Sequence, residues 1–393
     1  MTPRERLLRL QAVLEAHADF WRPAPFQVRR PAWCAMRPDL ADAVLALDDA
    51  AVDALAADPA RAQAWLTPRL PVVGVVAELC ALPRMAERSL PSSGRHFDWA
   101  IPGRKRAQID AFVGCMPQAH APLLEWCAGK GHLGRRAALA DGVAVTSLEI
   151  DAWLCDEARR LAGRNRVAQT VVCADALSEA AQRLAQGHEV LALHACGELH
   201  RSLVRGAATS HARAYRIAPC CYYRGAEAAG YRPLSGAATL ALDERALRLA
   251  VTETVTAGMR DRRRLARDQA WKLGFIALRN ALMGEAERRF KPVPADWLAA
   301  DFATCCTALA QREGLHLPSY LDWAHWQAEG ERRRAEVRRL ELVRHAFRRA
   351  LETWLVLDLA LGLEEAGYTT RVGTFCERAL TPRNLMVCAD RPY

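Results

Sequence analysis

The chain has 393 residues, of which 51% are hydrophobic and 25% charged, with a formal net charge of +9. That length exceeds the roughly 250–300 residues at which one core stops growing, so more than one domain is expected, and the balance excludes a disordered or low-complexity chain. No apolar run approaches the ~20 residues of a membrane span; Val72-Val-Gly-Val-Val-Ala77 is the densest.

Residues 1–95 read as a helical front domain. Leu7, Leu8, Leu10, Val13 and Leu14 share one face until Trp21-Arg-Pro23 stops the helix, and alanine-rich helices follow around 39–57 and 59–66. Arg4, Arg6 and Arg9 stand beside Glu5 in this helical pattern, which does not suit a signal or transit peptide, so a cytoplasmic location is expected. Thirteen cysteines without C-x-x-C spacing favour reduced thiols over a disulfide framework. Pro83 to Gly103, with Pro91-Ser-Ser-Gly94 inside it, reads as a loop and domain boundary.

From Arg104 strand and helix alternate, the signature of a parallel sheet covered on both faces. Strands are expected at 123–128, 143–149, 170–174, 189–195 and 213–219. Residues 226–350 then read as a helical insertion with two basic runs, Arg260-Asp-Arg-Arg-Arg264 with Arg267, and Arg332-Arg-Arg334 through Arg349. In the second, Glu331, Glu336 and Glu341 each precede an arginine by three residues, the pattern of a solvated, ion-paired helix. An apolar helix, Leu351 to Glu365, leads to two strand-like segments, Tyr368–Phe375 and Asn384–Cys388, whose short connection forces antiparallel pairing. Four segments result: a front domain at 1–95, a five-strand core at 96–225, the basic insertion at 226–350, and 351–393 completing the sheet. The expected fold class is α/β, five parallel strands plus a C-terminal antiparallel hairpin.

Leu123-Leu-Glu-Trp-Cys-Ala-Gly-Lys-Gly-His-Leu-Gly134 reads as strand, glycine turn and helix start. Such a turn lets main-chain N–H groups approach a ligand, and the helix start adds partial positive charge. Glu149 closes the next apolar run twenty positions past Gly129, where an acid accepts hydrogen bonds from ribose hydroxyls. Asp175 ends the third strand, where a carboxylate can meet an adenine amino group or simply face solvent. Gly129, Gly131 and Gly134 also spell G-x-G-x-x-G, so the turn alone does not separate a nicotinamide dinucleotide from S-adenosylmethionine.

His194-Ala-Cys-Gly-Glu198 and Pro219-Cys-Cys-Tyr-Tyr223 fall at the ends of the fourth and fifth strands. Open parallel sheets bind ligands beyond those ends, so His194, Cys196, Cys220, Cys221 and Tyr222 are expected beside the cofactor. The order Arg104-Lys-Arg-Ala-Gln-Ile109, Glu125-x-Cys-Ala-Gly-Lys-Gly131, His194-Ala-Cys-Gly197 and Pro219-Cys-Cys-Tyr222 resembles a methyltransferase-like family. It is similar to the methyltransferase domain of the glutathione S-transferase C-terminal domain-containing protein, and more distantly to the acceptor-stem tRNA 2′-O-methyltransferases. The resemblance covers about 100–225 and the terminal hairpin.

The resemblance implies a Rossmann-like class I methyltransferase sheet with S-adenosylmethionine as methyl donor. It implies that Glu125 and the loop with Cys127, Gly129 and Gly131 hold the methionine part, Glu149 the ribose and Asp175 the adenine, and that Lys105 or Arg106 reaches the cofactor carboxylate. Cys127 stands where the general E-x-G-x-G-x-G pattern has its first glycine, and the tRNA enzymes' N-terminal zinc module is absent from this sequence.

Methyl transfer from a sulfonium needs alignment and exclusion of water rather than an attacking side chain. Where the acceptor must lose a proton, His194 is the candidate base, with a pKa expected near working pH, and Tyr222 is a candidate platform for a planar base. His194, Cys196, Cys220 and Tyr222 are therefore the catalytic candidates, against the plainer reading of a core histidine bonded to main chain. Three thiols and a histidine resemble a zinc set, but small thiols packing at strand ends are commoner, and no metal is expected. The leading expectation is an S-adenosylmethionine-dependent methyltransferase acting on RNA, tRNA or rRNA, with Arg262, Arg263 and Arg264 as candidate contacts. Its rivals are a nicotinamide oxidoreductase, a non-catalytic RNA-binding protein of the same fold, and a methyltransferase of small molecules or proteins.

Overall fold

The computed structural model describes residues 1–94, 97, 101–227, 230–253, 258–284 and 290–392. They form two compact units, one of 1–16, 76–253 and 348–393, the other of 17–75 and 254–347. These lines differ from the four sequence segments: 1–16 cluster with the sheet and 17–75 with the later helices. The boundary drawn at 95/96 falls on residues outside the described set.

The first unit is built on a seven-stranded sheet of order β3-β2-β1-β4-β5-β7-β6. Its strands are β1 Leu123–Trp126, β2 Val145–Glu149, β3 Gln169–Cys173, β4 Glu189–Cys196, β5 Ala214–Cys220, β6 Thr369–Thr374 and β7 Leu385–Asp390. The first five are mutually parallel, and β7 runs antiparallel to both β5 and β6. Every residue of β1 and β5 is buried, as helices on both faces require, and this is why these strands read as unbroken apolar runs. The strand order reverses between β1 and β4, and beyond that switch point an open α/β sheet leaves a crevice for ligand. An all-parallel dinucleotide fold places a sixth parallel strand beside β5; here that position belongs to antiparallel β7.

The apolar helix Arg348–Glu365 is buried along 350–363 and packs on β6, β7 and the N-terminal helix Pro3–Ala16. Within it the buried Asp358 accepts from the amides of Leu234 and Ser235 at 2.9 Å and from the Tyr231 hydroxyl at 2.7 Å. Burial pushes that carboxyl's pKa up in spite of these bonds, and the loop is tied to the helix by satisfying it. No helix among the described residues is long and apolar enough to cross a membrane.

The second unit is helical, and its longest members, Met259–Met283 and Trp323–His345, cross backbone to backbone. A Cβ on Gly330 would lie 2.8 Å from Gly274 N and inside contact of Ala270 O, and one on Gly274 would lie 2.7 Å from Trp326 O. The second basic run is only partly the solvated face expected. Arg344 pairs with Glu341 at 3.2 Å, but Arg333 and Arg344 are buried, donating to Pro25 O at 2.8 Å and Trp21 O at 2.9 Å. Their guanidinium groups fill acceptor sites that the turns at 21–25 would otherwise leave empty.

Candidate active site

β1 ends at Trp126, whose buried indole donates to Leu199 O at 2.9 Å. Cys127 follows with φ 55, a left-handed conformation that costs a non-glycine residue roughly 1–2 kcal/mol. Gly129 (φ 57) and Gly131 (φ 66) complete the turn, and Gly131 caps the helix His132–Asp141. A Cβ built on Gly129 meets nothing within 4 Å, so the turn is open there. Gly134 answers to packing instead: a Cβ would lie 2.6 Å from Glu125 Oε2 and 2.8 Å from Val145 Cγ2.

Glu149 is tied to this turn. Its Oε2 accepts from Gly129 N at 2.7 Å, while Oε1 accepts from the amides of Ile150 at 2.9 Å and Asp151 at 3.1 Å. Glu125 is buried, accepting from Leu133 N at 3.1 Å and Ser147 Oγ at 2.6 Å, and burial raises its pKa. Asp175, just past β3, is exposed and accepts from Leu177 N at 2.9 Å. Lys105 and Arg106 are exposed in the first turn of the helix Gly103–Gly114. The Lys105 charge acts on Glu125, His132 and His194, which brings it to the crevice.

β4 and β5 hold one register from Glu189/Ala214 to Leu193/Ala218, then slip so that Cys196 pairs with Cys220. His194, inside the slip, has φ 61, and Cys221, just past β5, has φ 45. The slip gathers three thiols: the sulfurs of Cys196, Cys220 and Cys221 all lie within 4.8 Å of one another, and Cys196 Sγ is 3.4 Å from Cys220 Sγ. Main-chain bonds lock the two strand ends together, Gly197 N to Cys220 O at 3.0 Å and Glu198 N to Arg224 O at 2.9 Å. Cys221 is the most acidic of the three, because hydrogen bonds with the Cys196 and Cys220 thiols favour its thiolate and the Arg224 charge assists, against the cost of burial. Hydrogen bonds to Cys196 and Cys221, with burial, push Cys220 the other way.

Two expectations are corrected here. Burial pushes the His194 pKa down to about 4 rather than leaving it near working pH, and its buried Nδ1 makes no hydrogen bond. Tyr222 offers no face to a planar base: it is fully buried, set edge-on to His200 with ring centres 5.7 Å apart. Cys127 joins the two halves. Its thiol is pushed up to about 12 by burial, and the charges of Glu149, Cys196, Asp175 and Glu125 add to that, so carboxylates and thiols converge on it.

Several participants carry no pattern in the sequence. Ser147 and Gln169 link the strands beneath the turn, Gln169 donating to Ser147 Oγ at 2.7 Å and to Gly131 O at 3.2 Å. Buried Arg135 donates to Lys130 O at 2.7 Å and to His132 Nδ1 at 2.6 Å, which requires a neutral His132; burial pushes that imidazole down to about 3. Exposed Trp153 sits under the Lys130 ammonium at 4.8 Å. Only the Trp153 ring, four residues past Glu149, was open to suspicion from its position.

Residues 104–227 match the family model of a methyltransferase domain, the stretch that carries the turn, β1–β5 and the thiol cluster. The matched stretch lies wholly within the first unit. No curated protein matches the chain. Among solved structures, TYW2 of P. horikoshii in complex with MeSAdo aligns at 13% identity and a TM-score of 0.25, covering 30% of this chain and 43% of that one. Geranyl diphosphate C-methyltransferase from Streptomyces coelicolor A3(2), in complex with Mg2+, geranyl-S-thiolodiphosphate and S-adenosyl-L-homocysteine, aligns at 12% and 0.25, covering 37% and 58%. The [4+2]-cyclase SpnF aligns at 13% and 0.26, covering 37% and 54%. The chain spans less than two-thirds of each of these proteins.

Proposed function

We propose that the chain transfers the methyl group of S-adenosylmethionine to RNA, with the donor over the glycine turn and the acceptor at the ends of β4 and β5. The observation that carries this reading is the Glu149 carboxylate fixed to Gly129 N at 2.7 Å beside a turn that is open at Gly129. The residues present suit an adenosyl group: main-chain amides in the turn, a carboxylate at the ribose position and exposed Asp175 for an adenine amino group. The donor supplies an activated methyl on a sulfonium, so the chain's task is to orient and to keep water out. Lys105 gives the methionine carboxylate a cation. His194, neutral above about pH 4, accepts a proton from an acceptor hydroxyl and, being a weak base, passes it on to solvent.

Support for a polyanionic acceptor is the exposed run Arg260, Arg262, Arg263 and Arg264 at the start of the helix Met259–Met283, with the net charge of +9. Labelled donor incubated with fractionated cell extract tests both parts. Label is expected in the tRNA or rRNA fraction and absent with Glu149→Ala. Label confined to protein or small molecules would remove RNA and leave the methyltransferase; RNA binding without label would leave only a binding protein. Replacing Arg262, Arg263 and Arg264 with alanine is expected to flatten the salt dependence of RNA binding by about 0.7–0.9 in log–log slope for each phosphate no longer neutralised. An unchanged slope would take those arginines out of the interface.

A further inference from the structure

We propose that Cys196, Cys220 and Cys221 form a three-thiolate site for a soft divalent cation, zinc first, at the joined ends of β4 and β5. The proposal does not depend on the methyl-transfer reading, and it reverses the expectation that no metal is held. Zinc–sulfur bonds of about 2.3 Å in a tetrahedron place sulfurs about 3.8 Å apart. The sulfurs here lie within 4.8 Å of one another, with one pair at 3.4 Å, so side-chain movements of about an ångström or less complete the geometry.

Packing alone does not account for the arrangement. Cys196 and Cys221 are only half-buried, and polar groups surround the sulfurs: Cys196 Sγ lies 3.4 Å from Cys220 Sγ, and both thiols reach His194 O, at 3.5 Å and 3.2 Å. The cluster also depends on left-handed backbone at His194 (φ 61) and Cys221 (φ 45), a strain that regular extended strands do not carry. Charge supports the site as well. A dication with three thiolates carries one net negative charge, and the adjoining turn brings in a cation, Arg224, whose amide donates to Cys221 O at 2.9 Å. The imidazole of His194, two residues before Cys196, has a buried Nδ1 without a hydrogen bond. As the cation binds, each thiol gives its proton to solvent, and three protein ligands leave a fourth position for water or a substrate heteroatom, as in catalytic zinc sites.

The test uses the full chain, purified under reductant and stripped with a chelator, then titrated with cobalt(II) followed by zinc. One equivalent of cobalt per chain is expected to give a thiolate-to-metal charge-transfer band with intense tetrahedral d–d bands, both abolished by one equivalent of zinc. Zinc is expected to protect Cys196, Cys220 and Cys221 from alkylation, mapped peptide by peptide, while the exposed Cys173 stays reactive. A Cys196→Ser/Cys221→Ser double variant, checked by circular dichroism, is expected to bind at least a hundredfold more weakly. The alkylation map decides the matter in the unmodified chain even where that variant fails to fold. A weak octahedral cobalt spectrum, alkylation of the three thiols unaffected by zinc, or a Cys196–Cys220 disulfide that persists under reductant would overturn the proposal.

Discussion

The carboxylate of Glu149 accepts three main-chain amides, which leaves about one of its four lone-pair positions for a ligand. It therefore fixes the turn at Gly129 and, in the proposed donor site, would still offer an acceptor to a ribose hydroxyl. Asp175 is exposed and has a single amide bond, so it offers a contact without holding the turn. A hydrogen bond to a charged group is worth about 1.5–3 kcal/mol, or roughly ten- to a hundredfold in affinity. Calorimetry with the donor or its demethylated product is expected to show a loss of at least that size in Glu149→Ala and a smaller one in Asp175→Ala. Equal losses would mean that Glu149 does not brace the turn. Gly134 makes a separate residue-level case: the alanine Cβ would press on Glu125 and Val145, and Gly134→Ala is expected to cost about 1–3 kcal/mol of stability in a urea melt.

At the level of elements, the two long helices of the second unit meet through Gly274 and Gly330, where neither leaves room for a side chain. Gly330→Ala would push the helix Trp323–His345 off Ala270 and is expected to lower the thermal midpoint, while alanine at Gly258, which meets nothing within 4 Å, is expected to leave it nearly unchanged. Similar midpoints for the two variants would refute the crossing. Sequence could not flag these glycines, because a helix-interior glycine carries no sign of the distant helix that will cross it. β1, β4 and β5 were legible for the opposite reason: doubly covered strands are local apolar runs punctuated by turns, and Glu149 announced itself by spacing from Gly129. The thiol cluster was half legible. Its members lie at the two strand ends as expected, but their contact depends on the β4/β5 slip after Leu193, a property of pairing and not of either strand. His194 and Tyr222 were misjudged because burial, which sets the one's pKa and hides the other's ring, is settled by neighbours such as His200. Arg333 and Arg344 read as solvated because a charge run does not show the carbonyls of Pro25 and Trp21 that it will cover.

For the molecule as a whole, several buried histidines make folding sensitive to acid. His200 is fully buried, pushed down to about 4 chiefly by desolvation, partly offset by its bond to Ala195 O at 2.8 Å. His132 is pushed down to about 3 by burial, with the charges of Arg135, Lys105 and Lys130 acting the same way. Well above pH 6.5 both imidazoles are neutral whether the chain is folded or not, and their environment carries no pH penalty. Below it the unfolded chain takes up protons that the folded chain refuses, so stability falls as pH drops toward the folded values. For His200, a depression from 6.5 to about 4 corresponds to a loss of roughly 3 kcal/mol across that window. Buried carboxyls act in the same range: Glu125 and Asp358, whose pKa values are raised, gain stability on acidification, while Glu253, held low by Arg378 in spite of burial, loses it. A plain acid titration mixes these contributions, whereas the difference between the natural chain and His200→Gln isolates one. Urea unfolding at intervals from about pH 7 to about pH 4 is expected to show that difference shifting against the natural chain by roughly 3 kcal/mol, nearly all of it below about pH 6.5. A difference constant with pH would mean that the imidazole takes up protons as readily in the fold as in the unfolded chain, and burial beside Tyr222 would then carry no desolvation penalty for it.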